Sequence, residues 1–384
     1  MAVAQSPGAG RRASSISDDK AEGPVERGRF QFTAANLKPQ IDWGLRGTLV
    51  DVEEQQAVQI LHINAEAAPS SLGQARRAQH SKHHGCVTAI FEVRGDAPID
   101  LHEGLFACVG RYPAYIRFSN GRQQDDRRPD AHGMAIKLLG VPGEKLLPGE
   151  THQSAQDFVL VDSEVFFTGD GADYAWLNKG LLEPGQSLLR RAWFALSLLW
   201  RFPLLIRILR FTGRRPTSPL TQSYYSTTPY ALGNSAVKWV VRPSSTRDAS
   251  PLSTVDGLAE ALRRDLADAP FHFDFGVDVQ VDLVAQPIED PTIRWSGIPG
   301  ARRVWLATIE IPPQAIDAGA PLAEDITFSP WHGLVAHTPL GLINRLRKPV
   351  YRQLAIRRHE LNGVVPADTS ELPDEPAPIG VVGP

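Results

Sequence analysis

From Phe271 to Leu283 the chain alternates apolar and polar side chains for thirteen residues. Successive strand residues point to opposite sides, so Phe271, Phe273, Phe275, Val277, Val279, Val281 and Leu283 would share one face. Val87–Val93 alternates similarly. Tyr115–Ser119, Ala135–Leu139, Phe158–Val161, Val237–Val241 and Val304–Ile311 are further β-rich runs bounded by Gly, Pro or Asp. Helical patterns are fewer: Gly257–Ala267, with Leu258, Leu262 and Leu266 four apart, and Leu340–Arg358. Strands outnumber helices and do not alternate with them. The expected class is α+β, an antiparallel sheet or barrel with appended helices rather than a doubly wound sheet.

At 384 residues the chain exceeds one average domain, although β-barrel cores often run past about 200 residues as one unit. Residues 1–30 are rich in Ala, Gly, Ser and charge without periodicity and are expected to be a disordered arm. Residues 366–384 hold five prolines and four acids with no base, the composition of a flexible tail. That leaves 31–365 as one domain. The net charge of −3 argues against a nucleic-acid binder. Two cysteines, Cys86 and Cys108, exclude a disulfide-dense scaffold and suit a reducing, cytoplasmic setting. No apolar core of the secretory type occurs in the first thirty residues.

One segment departs from this balance. Residues 185–215 carry seven arginines and no acid, so the rest of the chain carries −10. Arginines alternate there with Trp193, Phe194, Leu198, Leu199, Trp200, Leu204, Leu205, Ile206 and Leu209. The uncharged stretches are far shorter than the roughly 18 residues a membrane span needs, and Pro203 interrupts them. A helix pair packed on the domain, with its arginines in solvent, is the plain expectation. A peripheral membrane anchor or a subunit contact, as in a homodimer, are the alternatives.

The densest chemical text is Arg77-Ala-Gln-His80-Ser-Lys-His83-His84-Gly-Cys86. Imidazole and thiolate are good metal ligands, but adjacent His83 and His84 would force a short loop to fold back, and neither CxxC nor HExxH accompanies them. Nucleophile-elbow and phosphate-loop motifs are absent, and Gly169-Asp-Gly171 reads as a turn. In Leu340–Arg358, Arg347 and Tyr351 are one helical turn apart, and a guanidinium beside a phenol favours the phenolate. A phenolate is a strong ligand for ferric iron. Pro349 lies between them, so the helix is expected to start or bend there.

These segments resemble the haem catalases. Arg77-x-x-His80-x-Lys82 followed by Phe91-Glu-Val93 resembles the family's distal-histidine segment. Arg117-Phe118-Ser119, then Asp130-x-x-Gly133-x-Ala135-x-Lys137, resembles the segment after it. Asp157-Phe-Val-Leu-Val161 leading to Val165-Phe166-Phe167 resembles the strand carrying the distal asparagine, and Arg347-x-x-x-Tyr351 with Arg358 and Asn362 resembles the proximal motif. The four stand in family order over about residues 70–365. His84–Val87 and Pro287–Pro291 are similar to the small, divergent branch, which includes haem peroxidases and coral-type allene oxide synthases.

The resemblance implies a catalase-like antiparallel β-barrel core with appended helices, lacking the extended arm and C-terminal helical domain of full-length catalases. It implies haem b, with Tyr351 as axial ligand to the iron and Arg347 holding it as phenolate. His80 would be the distal base and Ser119 would fix its tautomer. Arg77, Arg117 and Arg358 would pair with the propionates, and Tyr174, or Trp176 in a shifted register, would lie against the porphyrin. Hydrogen peroxide or an organic or lipid hydroperoxide would be the substrate, in peroxidase-type turnover, with hydroperoxide isomerisation, weak catalase activity and a non-catalytic haem sensor as alternatives. Two departures stand out. Asp162, or Ser163, occupies the place of the distal asparagine, and His83 competes with His80 if the register slips.

Overall fold

The computed structural model describes residues 51–67, 70–71, 74–147, 154–182, 186–247, 250–317 and 322–364. The expected arm at 1–30 and tail at 366–384 lie outside them. The strands are β1 (His83–Val93), β2 (Arg111–Asn120), β3 (His132–Leu138), β4 (Gln156–Val161), β5 (Tyr224–Tyr225), β6 (Tyr230–Leu232), β7 (Ser235–Pro243), β8 (Phe271–Val279) and β9 (Arg302–Ile311). The helices are α1 (Asp51–Ala67), α2 (Gly171–Leu182), α3 (Leu188–Trp200), α4 (Phe202–Thr212), α5 (Gly257–Asp265), α6 (Leu322–Asp325) and α7 (Leu342–Asn362).

Among the described residues, eight strands pair antiparallel in the order β8-β9-β1-β2-β3-β4-β5-β7, and β7 pairs back onto β8. Closure removes the open edges that an antiparallel sheet would otherwise expose. β6 extends from β7 outside the ring. Aromatic side chains fill the barrel: Phe91 meets Phe275 at 5.0 Å, and Phe158 meets Phe275 at 4.7 Å and Trp239 at 5.2 Å. Each is fully buried, and burying one such ring contributes about 1.5–3 kcal/mol.

β8 confirms the alternation and corrects its length. Phe271, Phe273, Phe275, Val277 and Val279 are all buried, but Val281 and Leu283 lie outside the strand and are exposed. The chain turns because Gln286 Oε1 accepts from the backbone of Val281 and Asp282, while Asp282 Oδ1 accepts from Val284 and Ala285. These local bonds replace ladder bonds. Within β8, Gly276 marks a bulge; a Cβ there would sit 2.2 Å from Val304 O.

Strand alternation also builds an outer face. Ile116 and Phe118 of β2 point into the barrel, which turns Arg117 and Ser119 outward. The register sets Ser119 beside Gly133, and Gly133 beside Val161. Against this face lies a second apolar layer, in which Ala57, Ile60 and Leu61 of α1 pack with Phe166, Ala175, Ile343, Leu346 and Val350. Arg345 clasps α7 to α1 through Glu53 at 2.8 Å and to Glu289 at 2.9 Å. The helix does not start at Pro349: α7 runs through it as one helix, so Arg347 and Tyr351 share it.

The helix pair at 185–215 exists as expected, α3 and α4 meeting at 104°. It packs on the domain through Phe194, Leu204 and Phe211, but much of its apolar surface stays outside. Among α3 residues none is buried, and Trp193 and Trp200 are 72% and 87% exposed. No single described helix is long and apolar enough to cross a membrane.

Candidate active site

Between the barrel's outer face and the helical layer is a cavity of about 220 Å³. The barrel side contributes His80, Arg117, Ser119, Gly133, Ala135, Val159 and Val161; α7 contributes Arg347, Val350, Tyr351, Leu354, Arg357 and Arg358. Phe166, Phe167, Tyr174 and Phe211 complete the apolar wall. The structure therefore brings together His80, Ser119, Tyr351, Arg347, Arg77, Arg117, Arg358 and Tyr174.

His80 is held on every side. Its φ of 56° lies in the left-handed region, which costs a non-glycine residue about 1–3 kcal/mol. Its backbone N donates to Gly121 O at 2.9 Å, and its carbonyl accepts from Arg117 Nη2 at 3.0 Å. Its Nδ1 lies 3.0 Å from Ser119 Oγ. Gly133 makes the room: a Cβ there would sit 2.6 Å from His80 Nδ1 and 2.9 Å from Ser119 Oγ. Burial, then the charge of Arg117, pushes the imidazole from 6.5 down to about 3. His80 is therefore neutral at ordinary pH.

His83 is turned elsewhere. Its Nε2 is 3.4 Å from Glu324 Oε1, and it does not line the cavity. His84 is buried with Nε2 at 3.0 Å from Asn120 Oδ1. Burial lowers both to about 3, and lowers His337 to about 4. Four histidines are thus neutral in the fold but take up protons below pH 6.5 when unfolded. Stability from this source is complete above pH 6.5 and is lost as the pH falls towards 3–4. Denaturant unfolding at pH 4.5 should yield a free energy about 2 kcal/mol or more below that at pH 7.5; equal values would contradict the burial of neutral imidazoles.

Asp162 is not brought to the cavity lining. It is fully buried, its Oδ1 accepting from His132 N at 3.0 Å and its Oδ2 lying 2.9 Å from His132 Nδ1. Both oxygens meet His132, and Arg214 Nε also lies 4.0 Å from Oδ2. Ser163 likewise bonds locally, its Oγ donating to Val165 O at 2.9 Å. Asp162→Asn should cost about 1–3 kcal/mol of stability in denaturant unfolding without raising oxygen release from hydrogen peroxide. A large rise would return Asp162 to the reacting centre.

Charge is the cavity's second property. Arg76, Arg77, Arg117, Arg347, Arg357 and Arg358 line it, and no described lining residue is an Asp or Glu. Glu324, behind the wall, is 3.4 Å from Arg77 and 3.7 Å from Arg117. Arg77 and Arg117 also donate to Ala323 O. Arg358 Nη2 donates to Thr327 Oγ1 at 3.2 Å, while its buried Nε has no hydrogen-bond partner. Burial, then Arg77, lowers Arg358 to about 9, and burial lowers Arg77 and Arg117 too. Buried cations in such excess suit an anionic ligand.

Several functional neighbours escape sequence reading. Arg347 Nη1 donates to Thr228 Oγ1 at 3.2 Å, and Asn344 Oδ1 is 3.5 Å away; its guanidinium also lies 5.3 Å from the Phe166 ring. Gln79 Nε2 donates to Asn64 and Asn178 at 3.2 Å, placing a carboxamide group in the wall. Only the lone polar positions Asn64 and Asn344 in helical stretches could have signalled these contacts.

No family model matches the chain, and no curated protein matches it. Solved structures do. A fungal catalase superposes with a TM-score of 0.55 at 17% identity, over 86% of this chain and 66% of that one. A bacterial catalase gives 0.55 at 19% identity, over 93% and 70%. Catalase A from Saccharomyces cerevisiae gives 0.57 at 19%, over 88% and 73%. The fold is that of the catalases. The chain spans just under two thirds of the fungal enzyme's length. It has a catalase-like barrel with an arginine-lined cavity against it.

Proposed function

We propose that this chain is a haem-dependent peroxide-processing enzyme of the small, divergent catalase-like branch, acting as a peroxidase or in organic-hydroperoxide reduction. The observation that carries the reading is one cavity shared by a neutral imidazole, a helix-borne phenol and buried arginines without lining carboxylates. Haem b fits these residues. Tyr351 would supply an oxygen ligand to the iron, Tyr174 and Val350 would pack on the porphyrin, and Arg77, Arg117 and Arg358 would meet its propionates. The orphaned Arg358 Nε is a donor such a carboxylate would satisfy. When bound, ferric haem supplies the electron transfer that breaks the O–O bond.

The chain's own residues supply the rest. With Ser119 Oγ accepting from His80 Nδ1–H, the imidazole lone pair is on Nε2. There it takes the proton from a peroxide's attacking oxygen and returns it to the leaving oxygen, which is general acid–base work. The depressed pKa keeps this base free well below neutrality. Arg347, set by Thr228, stands one turn before Tyr351 on α7.

A second reading is rearrangement of a fatty-acid hydroperoxide. Phe211, Leu354 and Leu361 favour it, because they make the wall apolar enough for a hydrocarbon chain. A haem sensor without turnover is a further alternative, distinguished by the same assay as the other two. Supplying the haem-loaded protein with hydrogen peroxide and with a polyunsaturated hydroperoxide tests the reading. Oxidation of an added reductant is the expected result. Oxygen release would mark a catalase, a product retaining both peroxide oxygens an isomerase, and haem binding without turnover a sensor.

A further inference from the structure

We propose that the α3–α4 hairpin is a docking surface for an anionic lipid bilayer. At 100° per residue, Leu188, Leu189, Trp193, Leu196, Leu199 and Trp200 of α3 fall within one sector of about 140°. That sector faces outward, Leu188 and Leu189 each being 83% exposed and Leu199 60%. Ordinary surface helices present the opposite arrangement, apolar side in.

The inner side of the hairpin is already engaged. Phe194 packs tilted against Trp176, ring centroids 4.8 Å apart, in space that Gly180 leaves free. Arg201, at the corner, pairs with Asp173 and lies 4.6 Å over the Trp176 ring. On α4, Phe211 meets Phe167 at 5.0 Å and Arg207 Nε donates to Phe167 O at 3.2 Å. These contacts hold the hairpin against the domain and leave the apolar sector outward. Phe202 at the corner and Leu209 on α4 extend it.

Charge selects the occupant. Arg190 and Arg191 flank the sector on its two sides, and Arg210 and Arg215 are exposed as well, while Arg201 pairs with Asp173 and Arg207 turns inward. An isologous contact with a second copy, as in a homodimer, would set this cationic patch against itself, which is repulsive. A bilayer presents what both halves need: hydrocarbon for Leu and Trp, and phosphate for Arg. Neither helix spans; the helices would lie in the interface. Because Phe211 lines the cavity, the docked hairpin would also be part of its wall.

Sedimentation of the full chain with vesicles tests this, with phosphatidylcholine alone or mixed with phosphatidylglycerol. The folded protein should pellet with the mixed vesicles and at least about tenfold less with the neutral ones, and salt should weaken binding. Trp193→Ser with Trp200→Ser should reduce binding at least about tenfold while leaving the melting transition and the cavity unchanged. Should that variant fold poorly, quenching of wild-type tryptophan emission by brominated phosphatidylcholine in mixed vesicles reads the same insertion. Absence of vesicle binding and of quenching in the folded wild type overturns the proposal. So does a dimer in lipid-free buffer that the double substitution dissolves. Binding is read without turnover, so its failure leaves the haem reading untouched, and loss of the haem reading leaves this one.

Discussion

His80→Ala should lower peroxide turnover of the haem-loaded protein by about 10²–10⁴-fold while haem content stays unchanged. Among the described residues His80 is the sole histidine lining the cavity. Its ring is fixed by Ser119, its backbone by Gly121 and Arg117, and its depressed pKa keeps it a free base. Alanine keeps the backbone at φ 56° with its bonds to Gly121 and Arg117, so the expected loss is chemical rather than structural. Ser119→Ala should cost less, since it frees the ring to reorient without removing it. Initial rates with hydrogen peroxide and an organic hydroperoxide check both. A His80→Ala protein with undiminished rates would remove the proton-transfer role.

Tyr351→Phe should have the larger effect on occupancy. Removing a partner that merely supports a ligand weakens metal binding about 10–100-fold, and removing the ligand itself should do at least that. The phenol sits on a helix that runs unbroken through Pro349 and is clasped by Arg345 to Glu53 and Glu289, so phenylalanine replaces it without a packing defect. Haem retained through gel filtration should fall accordingly, with the melting transition of the haem-free protein unchanged. Equal retention would assign the iron to another ligand.

The barrel was legible because each strand buries one face, and period-two alternation is that burial written in sequence. Phe271–Val279 shows both the strength and the limit: the alternation continues to Leu283, but the turn made by Asp282 and Gln286 ends the strand first. The first helix was missed because its inward face, Ala57, Ile60, Leu61 and Asn64, includes a polar residue. Asn64 is satisfied by Ile60 O and Asn178, which sequence spacing cannot reveal. α2 begins at Gly171, where the preceding residues read as a turn; Asp170 Oδ1 in fact accepts from Asp173 N and starts the helix. For the candidate site, residue types at motif spacing carried the neighbours of the cavity. Asp162 lies off the cavity lining, and its position in the motif says nothing about His132, which bonds to both its oxygens.

Titrating the full-length protein with ferric haem, followed by its absorption spectrum, tests the central claim most directly. One haem per chain should bind saturably, with a high-spin ferric band of phenolate-ligand character that Tyr351→Phe abolishes. A folded protein without saturable binding, or an identical band in Tyr351→Phe, would contradict it.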